Sequence, residues 1–135
     1  MTATSSEQPS PRTILIVDDD PGVTETFQRM LAMEGYRVLT ALTAAAGLKT
    51  AETARPHAII LDLRMPLADG LQFLRMLRAK PGQTATPVAI VTGDYFLDDA
   101  VSSEIRSLGA EVRFKPLWLD DLVNLARKLL LKAAQ

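Results

Sequence analysis

With 135 residues, 47% of them hydrophobic and 23% charged, the chain has the size and composition of one folded domain with a buried core. Its formal net charge of −1, without a long block of like charge, argues against a nucleic-acid arm or a basic membrane-binding face, and the lack of cysteine excludes disulfides, thiol catalysis and Cys-based metal sites. The opening MTATSSEQPS has no apolar core and no later run approaches the roughly 18 apolar residues that span a bilayer, so a polar disordered leader over 1–11, a folded domain over 12–133 and a cytoplasmic location are expected.

In chain order, the first run, 13–17 (TILIV), is continuously apolar and reads as a strand. Val23, Phe27, Met30 and Leu31 follow at helical spacing, and Gly35 marks the stop. A second strand is expected at 36–40 (YRVLT), a helix around Leu48 and Ala51, and a third strand at 57–61 (HAIIL), opened by Pro56. Gly70 then introduces a helix through Leu71, Leu74 and Leu77, and Pro87 opens a fourth strand, 87–92 (PVAIVT). Leu97, Val101, Ile105 and Leu108 form a fourth helical stripe ended by Gly109; 111–114 (EVRF) is the last strand; and Leu119, Leu122, Val123, Ala126 and Leu130 line the inner face of the last helix.

Strand and helix alternate five times. The first, third and fourth strands lack polar alternation, which means burial on both faces in a parallel sheet. The expected architecture is a three-layer α/β/α sandwich, flavodoxin-like (βα)5, with parallel sheet order 2-1-3-4-5. Ligands of such sheets bind at the carboxyl ends of the strands, where the order reverses. Asp18 and Asp19 end the first strand, Asp62 follows the third, Thr92 ends the fourth, and the fifth runs into Lys115.

Two carboxylates about 4 Å apart repel by roughly 1 kcal/mol in water and about 4 kcal/mol at an effective dielectric of 20. A cation is therefore expected among these acids, and an all-oxygen set with room for water suits Mg²⁺ beside Lys115. Such a site suits phosphoryl transfer, with Asp62 on the central strand as the nucleophilic carboxylate, Asp18 and Asp19 as metal holders, and Thr92 and Lys115 as phosphoryl-oxygen partners.

The segments 14–21 (ILIVDDDP), 59–70 (IILDLRMPLADG), 88–93 (VAIVTG) and 114–116 (FKP) together resemble the receiver domain of two-component response regulators, in order and in spacing. The resemblance implies that Asp62 accepts a phosphoryl group from a histidine kinase or phosphotransfer protein, with self-catalysed phosphorylation and dephosphorylation. It implies that Asp18, Asp19, Asp62 and the main-chain carbonyl of Arg64 hold Mg²⁺, that the Lys115–Pro116 peptide is cis, and that Gly93 leaves space for the phosphoryl group. Receivers usually carry Tyr or Phe three residues before the lysine, whereas this chain has Val112. An aromatic swing cannot operate there, so either another residue, such as Phe114, reports the phosphorylated state or the coupling to output is weaker. Arg64 and Asp94 are expected to overhang the site and shield the acyl phosphate from water.

Each residue also has a structural reading. Asp20, before Pro21, is an N-cap of the first helix. His57, the sole histidine, stands at the far end of its strand, roughly 16 Å from Asp62, and is expected on the surface. Trp118, Leu122, Leu125 and Leu129 form a second apolar stripe on the last helix; with Phe96 and Ala100 they suggest a face of helices 4 and 5 that dimerises or docks a partner.

A stand-alone regulator, with no direct nucleic-acid or membrane contact and an unknown downstream protein, is the leading expectation, and a module excised from a longer regulator is its variant. An aspartyl-nucleophile phosphatase is disfavoured because Arg64 stands where a second acid is needed. A nucleotide or flavin binder is disfavoured by the acidic 18–22 loop (DDDPG).

Overall fold

The computed structural model describes residues 11–62, 67–93 and 98–133. Ten elements alternate: β1 (Thr13–Asp18), α1 (Pro21–Met33), β2 (Arg37–Ala41), α2 (Ala44–Ala54), β3 (Ala58–Asp62), α3 (Leu67–Arg78), β4 (Val88–Thr92), α4 (Asp99–Ser107), β5 (Ala110–Phe114) and α5 (Leu119–Ala133). The strands pair in parallel in the order β2-β1-β3-β4-β5, as expected.

β1, β3 and β4 are buried along their whole length because helices cover both faces. On one face, Leu15, Val17, Ile59, Leu61, Val88 and Ile90 pack with Leu48, Phe73, Leu74, Leu77 and Ile105. On the other, Ile14, Ile16, Ile60, Ala89 and Val91 pack with Leu31, Leu122, Leu125, Ala126 and Leu129. Successive strand residues alternate between these two layers, which holds the strand ends in a fixed arrangement.

Helix ends follow local chemistry. Asp20 accepts from the N–H groups of Gly22 (2.8 Å) and Val23 (3.3 Å), capping α1. Asp20→Ala is therefore expected to cost about 1 kcal/mol in urea unfolding. Gly35 (φ 94°) and Gly109 (φ 81°) take the left-handed backbone after α1 and α4, where the sequence placed stops. Gly70 instead lies within the first turn of α3, where an added Cβ would sit 3.4 Å from Ile90.

Helix α5 differs from its expected face. Leu122, Leu125 and Leu129 are core residues, whereas Leu119 is 48% and Trp118 69% exposed. The helix lies over several strands, so its buried stripe is broad and centred on Leu122, Leu125, Ala126, Leu129 and Leu130. Only Trp118 of the second stripe stays on the surface. Phe96 lies outside the described residues, and Ala100 is exposed. His57 is exposed, and its Nδ1 accepts from the N–H of Thr13 at 2.9 Å, a strand-start role far from the acids.

Candidate functional site

The β1–β3 register sets Asp18 beside Asp62, on strands about 4.8 Å apart. Each carboxylate residue is only 3% exposed. Asp18 is oriented by the N–H of Asp20, which donates to its Oδ1 at 2.8 Å. Burial is the main cause that pushes the Asp18 pKa up to about 6; the Asp20 N–H acts in the opposite sense, the neighbouring Asp62 charge adds to the rise, and Lys115 offsets part of it. Asp19, next in the chain, is exposed and adds a further small push upward.

Lys115 Nζ lies 2.7 Å from Asp62 Oδ1, with the lysine side chain 35% and the aspartate side chain 4% exposed. The approach makes an ion pair but lacks hydrogen-bond angles, so this buried carboxylate oxygen keeps an unmet bonding capacity. Lys115 is delivered by backbone pairing: its N–H donates to the carbonyl of Thr92 at 2.9 Å, and the Lys115–Pro116 peptide is cis. Thr92 is buried at the end of β4, level with Phe114 of β5. Among the described residues, the nearest atom to a Cβ built on Gly93 is the Lys115 Cδ at 3.9 Å.

The structure thus brings Asp18, Asp62, Thr92 and Lys115 to one rim, with Asp19 alongside. Arg64 and Asp94 lie outside the described residues. Among the described residues, no three carboxylate or imidazole groups close into a metal cage on their own. The donor chemistry nonetheless fits Mg²⁺, which binds through one or two carboxylates and keeps much of its water, and Asp18 and Asp62, side by side at the strand ends, are the carboxylates that would hold it.

Thr24 is a positioning residue that sequence reasoning missed. It is buried in the first turn of α1, and its hydroxyl donates to the carbonyls of Asp20 (2.7 Å) and Asp18 (3.3 Å), tying down the acidic loop. Its sequence signal was a single hydroxyl beside the apolar Val23, too weak to separate from an ordinary helix residue. Val112 is level with Ile90 and packs against the core, while Phe114 is 42% exposed.

Fold and site define a flavodoxin-like α/β domain whose acidic cleft opens at the carboxyl ends of β1 and β3, where the strand order reverses. Residues 14–127 match the family described as response regulator receiver domain, and the chain belongs to that family. It is 36% identical over 121 residues to the transcriptional regulatory protein PrrA of Mycobacterium leprae, covering 90% of this chain and 50% of PrrA, so it spans about half the length of that curated relative. Among solved structures, a response regulator receiver domain protein from Methanospirillum hungatei is similar at TM-score 0.78 and 28% identity, over 93% of this chain and 98% of that one. The receiver domain of a Pseudomonas aeruginosa sensor histidine kinase, described with a magnesium ion coordinated in its active site cleft, is similar at TM-score 0.72 and 26% identity, over 93% and 99%. No helix among the described residues is long and apolar enough to cross a membrane.

Proposed function

We propose that Asp62 accepts a phosphoryl group from the phosphohistidine of a histidine kinase or phosphotransfer protein, and that the modified domain signals through altered protein contacts. The observation that carries this reading is the buried, in-register Asp18–Asp62 pair with Lys115 at 2.7 Å from Asp62. Two buried carboxylates side by side are unfavourable unless cations join them. One lysine does not balance them, which is the condition of a site built to receive a cation and then an anionic group. Mg²⁺ held by Asp18, Asp19 and Asp62 would offset the charge gathering on the phosphoryl oxygens.

The remaining chemistry belongs to the chain. A carboxylate oxygen of Asp62 attacks phosphorus, the phosphorus–nitrogen bond of the donor breaks, and the imidazole leaves with the electron pair and takes up a proton. The Thr92 hydroxyl donates to one phosphoryl oxygen and Lys115 pairs with another, a positioning task that dominates phosphoryl transfer. Attack by water later returns Asp62 to a carboxylate. With Val112 aliphatic, Phe114 is the aromatic placed to report the change, because it is level with Thr92 and adjoins Lys115.

The test is incubation with acetyl phosphate and Mg²⁺, read by intact mass and peptide mapping. One phosphoryl group on Asp62, formed only with the metal present, is expected. An adduct absent, or located on another residue, ends the reading.

A further inference from the structure

Helix α4 runs for 9 residues and buries two of them, Ser102 and Ile105, with Val101 and Leu108 partly covered. Helix α5 buries five apolar residues, and α1, which also buries two, has its Thr24 hydroxyl bonded to two carbonyls. Ser102 is 5% exposed, and its hydroxyl has no hydrogen-bond partner among the described residues. A buried hydroxyl without a partner opposes burial, because water would satisfy it. The grip of α4 on the sheet is therefore weak, and its fastening comes from α3. Arg75 Nε and Nη2 donate to the two carboxylate oxygens of Glu104 at 2.7 and 2.6 Å, a two-pronged ion pair. One turn on, Arg78 Nε donates at 2.8 Å to the Leu108 carbonyl that ends α4, and its Nη1 donates at 2.9 Å to the Gln83 carbonyl. A guanidinium suits that place, since the last carbonyls of a helix form its negative end.

We propose that α4 is a separately releasable segment, strapped to the fold by Arg75 and Arg78 of α3 and loosened from within by the Ser102 hydroxyl. On release Ile105 loses its cover and Ser102 gains water, two effects of opposite sign and similar size, so the arginine contacts decide the balance. The Arg75 and Glu104 side chains are 50% and 40% exposed, so salt screens that strap. The β1, β3 and β4 core depends on apolar burial and lacks this sensitivity. Local opening below the global unfolding free energy is the behaviour expected of an element with few buried apolar contacts.

Amide hydrogen exchange of the full chain tests this, comparing residues 99–108 with the strands in wild type, Arg75→Met, Ser102→Ala and Ser103→Ala. Wild-type α4 is expected to exchange at least about tenfold faster than β1, β3 and β4, and faster still as salt is raised. Arg75→Met should speed α4 by about threefold and leave the strands unchanged. Ser103 is exposed on the same helix, so Ser103→Ala reports the helix preference of alanine alone. Ser102→Ala should slow α4 by about fivefold more than that control, because it removes the unsatisfied hydroxyl. The proposal is overturned if α4 exchanges at the rate of the strands, or if Arg75→Met acts on all elements alike. It is equally overturned if Ser102→Ala slows α4 no more than Ser103→Ala does.

Discussion

Asp62→Asn is expected to abolish the phosphoryl adduct completely while the domain stays folded. Asparagine keeps the size of the side chain and one carbonyl oxygen, so the packing at the end of β3 is preserved, but it removes the nucleophile. The substitution also relieves Asp18, whose pKa is raised in part by the Asp62 charge. Lys115 loses this one ion pair, yet its side chain is 35% exposed and reaches water, so its charge is not stranded in the core. Intact mass after acetyl phosphate and Mg²⁺, with circular dichroism as the folding control, makes the comparison. A persistent adduct on a folded Asp62→Asn protein would show that another group is the acceptor.

Asp18→Asn is expected to stabilise the metal-free domain by about 3 kcal/mol near neutral pH, since each pKa unit corresponds to about 1.4 kcal/mol and the Asp18 value rises from 3.8 to about 6. The sign follows from the proton being held more tightly in the folded state. The stability this group contributes is complete below 3.8 and is lost as pH rises through about 6. Asparagine retains the oxygen that accepts from the Asp20 N–H, so orientation survives while the charge is gone. Urea unfolding in EDTA should therefore show wild type losing stability between about pH 4 and 6 and Asp18→Asn staying nearly flat over the upper part of that range. The depressed carboxyls of Glu52, Glu104 and Glu111 act in the opposite sense, and only below their ordinary value of 4.5. Added Mg²⁺ should stabilise wild type and reverse much of the difference, because a ligand of the folded state adds to its stability. A wild-type profile that is flat in EDTA, or a less stable Asp18→Asn, would contradict the electrostatic account of the site.

Most of the fold was readable because buried parallel strands leave an uninterrupted apolar signal. TILIV, HAIIL and PVAIVT each fell within a residue of the observed strands. Helix α5 was harder, since Leu119 and Leu122 look equally apolar in a list of periodic positions and only contact with the sheet separates exposed from buried. Thr24 was missed because a hydroxyl that bonds carbonyls four and six residues back reads, in sequence, as one more polar helix residue.

By itself the sequence determined the alternation of strand and helix and which acids, hydroxyl and ammonium stand at the strand ends, because hydrophobic period and residue type are local properties of the chain. Only the tertiary structure decided that Asp18 and Asp62 are level on neighbouring strands, that the Asp18 carboxyl is pushed up to about 6, and that Lys115 reaches Asp62 at 2.7 Å. It also set Arg75 against Glu104 and Arg78 against the Leu108 carbonyl. Burial, Coulomb coupling and contacts between helices depend on residues far apart in the chain meeting in space, and no local pattern carries that information.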